Sequence, residues 1–215
     1  MIVLGAVITA DIVNSTAMGS KAAGELRSVL EQLINANQAK FLSFYRGDSF
    51  QSYLVDPYPA YKLALRLRTA ARIFENQLPD IKTDLKISIG IGSIETPVTQ
   101  IKTAQGEAFL LSGRGLDELE KMGRRLIIRC GDEKVNTTLE TISLFTDYLF
   151  DALTYKQAEV LQHLLNNRTQ IETAKVLDKS QSTVNRHVQS LGWKQMEELL
   201  RLYNQSIQQT TPING

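Results

Sequence analysis

Cysteine occurs once in these 215 residues, at Cys130, which excludes an internal disulfide and any zinc site built on several thiolates. A reducing compartment suits such a chain, so a cytoplasmic location is expected. Cys130 follows the apolar run Leu126–Arg129 and reads as a small buried hydrophobe more readily than as a reactive thiol. An excess of either charge is also missing. The formal net charge is +1, so the whole chain has no electrostatic reason to coat nucleic acid or an anionic membrane, and any DNA contact must come from a local face. The longest apolar stretches, such as Met1–Ala10, are too short to span a bilayer. The opening lacks the basic start and small-residue cleavage site of a signal peptide, so no membrane partner is expected. What is there is ordinary globular material, 43% hydrophobic and 22% charged, enough for one large or two modest domains each with its own core.

Ile2–Ile12 is an apolar, β-branched run of the kind that forms a buried central strand. Leu26, Val29, Leu30, Leu33 and Ile34 recur at helical spacing within about 20–40. Phe41–Tyr45 and Phe50–Val55 read as two strands meeting at a glycine-containing turn, Arg46–Ser49. Pro57 and Pro59 then break the chain before a helix over about Ala60–Gln77. Leu85–Ile94 alternates apolar with polar or glycine, as a strand does. A helix over about Gly106–Met122 and a strand over Arg124–Arg129 follow. The order is that of a ferredoxin-like βαββαβ core with an added helix and strand, so the expected class is α+β with an all-α unit behind it. The expected division is 1–132 for the first domain, 133–152 for a connecting helix, 153–203 for the second domain and 204–215 for a polar, frayed tail.

Three helical segments follow Leu153. Thr154 suits the N-cap of the first, which carries Ala158, Leu161, Leu164 and Leu165 on one side. The second covers about Thr169–Leu177 with Ile171, Ala174 and Leu177 inward, and the third starts behind Ser180 and runs through Val184, Val188 and Leu191. Ala174 is small where two helices cross, and Val184 answers it from the third helix. The stretch from Ala152 to Leu191, including Ser182-Thr183-Val184 and His187-Val188, resembles the helix-turn-helix of LuxR-type regulators and of sigma-factor region four. Asp178 stands where those proteins usually have glycine. The resemblance implies DNA as a partner, read by Lys179, Ser180, Gln181, Ser182, Thr183, Asn185 and Arg186 on the exposed side of the third helix. A plain helical bundle with a solvated face has the same pattern. Acids nearly balance bases here, which argues for weak binding by a monomer.

Asp11 closes the first strand and Asp48 sits in the hairpin, and a fold of this order brings those two ends side by side. Adjacent carboxylates repel unless a cation or a proton intervenes, and oxygen ligands of this kind suit Mg²⁺ carrying a phosphate ligand. Turn or capping acids at loop positions are the alternative reading of both. Arg114 fits an ion pair with Asp117 or Glu118 on its own helix, and Gly90, Gly92 and Gly106 fit tight backbone packing.

The motifs around these residues resemble class III nucleotide cyclases. Asp11-Ile12…Thr16 is similar to their DIxxxT, Gly47-Asp48 to their second metal motif, "LKISIGIGSI" to their RIGIHxG strand, and "GEAFLLSGRGL" to GxxVNxAxRL. More closely, "DIVNST", "RGDSFQ", "IGIGSIET" and "GEAF…GR" together resemble the SatD family, whose members have a cyclase-like domain, often followed by a helix-turn-helix. The resemblance implies Mg²⁺ or Mn²⁺ on Asp11, Asp48 and the Ile12 carbonyl, with Arg114 stabilising a phosphate. It adds a ligand-binding set of Thr16, Thr103 and Gly106, and a head-to-tail homodimer. Two cyclase positions differ: Phe44 replaces the purine-reading lysine and Leu110 the transition-state asparagine. Losing one preorganised polar group of that kind costs about 2.7–4 kcal/mol of barrier. The expected function is therefore a transcription regulator with a non-cyclising sensor for a nucleotide or other phosphate ligand; an active cyclase or phosphoryl-transfer enzyme is the alternative.

Overall fold

β1 (Ile2–Ile12) stands at the centre of the sheet, as its unbroken apolar sequence requires of a strand covered on both faces. The computed structural model describes residues 1–37, 39–45, 47–78, 80–96, 98 and 105–210. Around β1 lie β2 (Lys40–Tyr45), β3 (Ser49–Leu54), β4 (Leu85–Glu95) and β5 (Leu126–Cys130), in the order β2-β3-β1-β4-β5. β1 runs antiparallel to β3 and β4, whereas β5 is parallel to β4. The first four strands thus have the order that a βαββαβ chain produces, and β5 extends it through a helical crossover.

The sheet buries two different faces. Ala6, Ile8 and Ala10 of β1 join one large core with α1 (Ser15–Ala36), α2 (Ala60–Phe74) and α4 (Glu133–Asp151). Val7, Tyr53 and Ile94 point the other way and meet Ala108 of α3 (Glu107–Met122). Period-two alternation assigns each residue its face. α3 lies on β4 so closely that a Cβ at Gly90 would strike the Ala108 carbonyl and one at Gly115 the Ser88 hydroxyl. The glycines of the β4 sequence therefore serve close helix-on-strand approach.

Behind the sheet come α5 (Tyr155–Leu165), α6 (Gln170–Val176), α7 (Gln181–Ser190) and α8 (Trp193–Gln209). Thr154 and Thr169 each form a reciprocal capping box, with Gln157 and Glu172, and the Ser180 hydroxyl accepts from the Thr183 N–H at 3.2 Å. Between α6 and α7 the chain reverses at Asp178, which is left-handed at φ 51°, and the Lys179 N–H donates to the Ala174 carbonyl at 2.9 Å. Aspartate tolerates that conformation better than most non-glycine residues.

Four expectations need revision. The helix after β1 begins at Ser15 and breaks at Gly19, whose φ is 76°. Ile171 is 53% exposed; on a helix of seven residues Thr173 and Ala174 occupy the inner side, and Ile171 lies about 200° from Thr173. α4 is no bare connector, because Val135, Leu139, Ile142 and Phe150 are buried and it packs on β5 and α8. The expected frayed tail from Asn204 is helical through Gln209, because Ser206 and Ile207 continue the buried stripe of Met196, Leu199 and Tyr203. Burying Ile207 contributes about 1.5–3 kcal/mol, enough to hold a last helical turn.

The helices from α5 onward share the large core with the sheet's helices. α2 packs against α5 and α4 against α8. The Tyr203 hydroxyl donates to the Pro57 carbonyl at 2.8 Å, its ring lies 5.3 Å from that of Tyr61, and Arg72 Nη2 donates to the Leu153 carbonyl at 2.5 Å. Among the described residues no helix is long and apolar enough to cross a membrane.

Candidate functional site

The β1–α1 loop is held from below. The Val13 N–H donates to the Asp84 carbonyl at 2.9 Å, and Asn14, left-handed at φ 59°, donates from Nδ2 to the Lys82 carbonyl at 2.8 Å. On the other side the hairpin turns at Gly47, φ 88°, and delivers Asp48 just before β3. Ser49 pairs with Asp11 across the strands, and the Ile12 N–H donates to the Asp48 carbonyl at 3.3 Å. Asp11, Ile12, Thr16 and Asp48 thus line one open cleft of about 520 Å³, as the order of elements implied.

The two acids are not equivalent. Asp48 Oδ2 accepts a 2.6 Å hydrogen bond from the Ser15 hydroxyl. Asp11 Oδ1 is buried and accepts none among the described residues. Burial pushes the Asp11 carboxyl above the ordinary carboxylate range; a hydrogen bond from the Ser49 side chain to this carboxyl opposes the shift, Asp48 adds to it, Lys86 opposes it and Glu120 adds to it. A carboxylate oxygen with no donor, next to a second acid, is a position where a cation relieves both deficits. Among the described residues no three metal-ligating side chains come together. The donor set fits Mg²⁺ or Mn²⁺, which bind through one or two carboxylates and take other oxygens from water and phosphate.

Two cationic residues of this cleft escaped the sequence reading. Lys86 faces Asp11 across the β1–β4 pairing and reaches Glu120 at 3.6 Å. Arg125 also lines the cleft, its backbone fixed where its own N–H and that of Leu126 donate to Asp147 Oδ2 at 3.0 and 3.2 Å. Only strand register, which joins residues 75 apart, puts Lys86 beside Asp11. Asp48, Lys86 and Arg125 leave the cleft with charges of both signs.

Other expected members lie elsewhere. Arg114 is exposed on α3 and does not line the cleft. Gly106, φ 132°, sits against the Ser93 carbonyl at the far end of β4 from Lys86, seven residues or roughly 23 Å along the strand. It allows the tight entry into α3 and lies at the other end of the strand from the Asp11 cleft. Thr103 lies outside the described residues. The Phe44 ring meets Phe50 edge-on, centroids 5.5 Å apart, with the Arg27 guanidinium 5.8 Å from it, so this side chain belongs to the core side of the sheet. Leu110 is exposed on α3.

A second surface lies on α7. Val184 and Val188 are buried, while Lys179, Ser180, Gln181, Ser182, Asn185 and Arg186 are exposed and Thr183 is half-buried beneath its cap. Burial lowers the His187 pKa, and Arg186, Lys156 and Lys179 lower it further against the opposing Glu159. Three cations thus lie near His187 against one acid.

No family model matches the chain, and no curated protein matches it. Among solved structures it is similar to a bacterial light-regulated adenylyl cyclase, at 15% identity and TM-score 0.43 over 60% of this chain and 76% of that one. The adenylyl cyclase CyaB from P. aeruginosa is similar at 13% identity and TM-score 0.43, over 60% and 77%. A class III adenylyl cyclase-like ATP-binding protein from Pseudomonas aeruginosa is similar at 12% identity and TM-score 0.36, over 77% and 43%. Likeness at this level assigns no ligand and no activity.

Proposed function

We propose that this chain is a DNA-binding transcription regulator of the SatD type, acting as a homodimer in the cytoplasm. Its sheet half senses a phosphate-bearing ligand, such as a nucleotide, with Mg²⁺ or Mn²⁺, and does not cyclise it. The observation that carries the DNA reading is α7. This capped ten-residue helix is anchored by Val184 and Val188, and its outer side offers Gln181, Asn185 and Arg186 to base edges and Lys179, Ser180 and Ser182 to phosphates. α6 and its left-handed turn at Asp178 hold it as the second helix of a helix-turn-helix is held. Arg186, Lys156 and Lys179 near His187 favour an anionic partner.

The sensor reading is supported by the unpartnered Asp11 Oδ1 beside Asp48. When bound, a hard divalent cation neutralises the two carboxylates and links them to phosphate oxygens. Ser15 orients Asp48, Asp11 supplies an oxygen free of hydrogen bonds, and Lys86 and Arg125 line the same cleft and supply positive charge for the anion. Cyclisation is disfavoured because Phe44 packs on Phe50 and Leu110 offers only an alkyl group.

Selection of bound sequences from a random oligonucleotide pool with the full-length protein tests the function. An enriched motif that Arg186→Ala and Gln181→Ala erase supports it. The absence of any enriched motif overturns it.

A further inference from the structure

α4 turns an apolar row to solvent. Leu144, Phe145 and Tyr148 are 52%, 40% and 69% exposed, and the Phe145 and Tyr148 rings lie 5.8 Å apart. Scattered surface hydrophobes need no explanation, but two aromatics and a leucine on one helix beside a groove do. That groove, of about 590 Å³, runs from Phe145 to the outer side of α8, where Lys194, Glu197, Glu198 and Arg201 recur at helical spacing.

We propose that a second copy of this chain docks on the α4/α8 face through a two-fold axis. The charge order on α8 points to that occupant. Glu197 precedes Arg201 by four residues, so two α8 helices crossing antiparallel near Leu199 set Glu197 of each copy against Arg201 of the other. An isologous interface needs this self-complementarity, and a partner of single-sign charge would meet one of the two residues as a like charge. The Glu197 and Arg201 pairs then flank the axis, and Phe145 and Tyr148 of α4 add aromatic contact area beside them. The Glu198–Arg201 pair within one chain is exposed and holds Arg201 weakly, so it can be exchanged for the intermolecular pair. This inference names the dimer contact of the proposed regulator, yet it is read without DNA, metal or ligand.

The test is the mass of the full-length protein by light scattering and sedimentation at micromolar concentration. The wild type is expected to be dimeric. Phe145→Asp and Tyr148→Asp replace exposed side chains, so they should give a monomer with an unchanged circular-dichroism spectrum. Glu197→Arg and Arg201→Glu should each raise the dimer dissociation constant about tenfold, and the double variant should recover most of that loss. A monomeric wild type, a dimer indifferent to Phe145→Asp, or a double variant that recovers nothing overturns the proposal.

Discussion

Arg68 grips Asp84 with two hydrogen bonds, Nε to Oδ1 at 3.0 Å and Nη2 to Oδ2 at 2.9 Å, while Nη1 donates to Asp147 at 2.6 Å. The guanidinium is fully buried and lies 4.3 Å from the Phe150 ring centroid. Asp84 holds the Val13 N–H with its carbonyl, and Asp147 holds the start of β5, so one cation braces both walls of the cleft against α2 and α4. Burial alone would lower the Arg68 pKa; Asp84 and Asp147 outweigh it and raise the value above normal.

Removing this cation leaves two acids facing each other without compensation. Arg68→Met is expected to lower stability by about 3–5 kcal/mol, seen as a lower urea midpoint at unchanged slope. Arg68→Lys should recover little, because one ammonium cannot reproduce the fork. A midpoint equal to wild type would show that the network does not stabilise the fold.

Asp11 gives a pH-dependent prediction. Its folded pKa is raised above the usual value of about 3.8, so the folded state binds the proton more tightly than the unfolded state. Its contribution to stability is therefore present in acid and lost as pH rises through the folded pKa. Asp11→Asn should raise the melting temperature at pH 7, with the gain fading below about pH 4. Mg²⁺ or Mn²⁺ should raise the wild-type melting temperature in proportion to occupancy and leave Asp11→Asn and Asp48→Asn unmoved. Melting curves indifferent to both ions in all three proteins would remove the metal site.

On DNA, Arg186→Ala and Gln181→Ala should each weaken binding to a selected site by about 1–3 kcal/mol, measured by fluorescence anisotropy. Lys179→Ala should weaken every sequence alike and reduce the salt slope by about 1. An equal loss on selected and random DNA for all three variants would leave α7 without base readout.

Gly106→Ala separates structure from ligand binding. A methyl group there would collide with the Ser93 carbonyl and strain a backbone at φ 132°. A loss on the order of 1–3 kcal/mol is expected, with the Mg²⁺-induced shift of the melting temperature retained. Unchanged stability would return Gly106 to the ligand-binding set.

The secondary structure was legible wherever chemistry is local. The alternation in Leu85–Ile94 and the caps at Thr154 and Ser180 each rest on a few neighbouring residues. So was the meeting of Asp11 and Asp48, because it needs only the order of strands. Lys86 and Arg125 were not, since their places depend on register and on Asp147 in a distant helix. The last turns of α8 were hidden because Ser206 and Ile207 stand among polar residues and gain their burial from the helices they cover. For Gly106 the motif records that glycine is needed and says nothing of which atom stands opposite; here it is the Ser93 carbonyl.

The interior that α1, α2 and α4 share with α5–α8 has a practical consequence. A fragment beginning at Leu153 would expose to water the α5 and α8 surfaces that α2 and α4 now cover, including Tyr203, whose hydroxyl would lose Pro57. Such a fragment should aggregate or fray. Calorimetry of the intact chain should record one endotherm whose calorimetric and van't Hoff enthalpies agree.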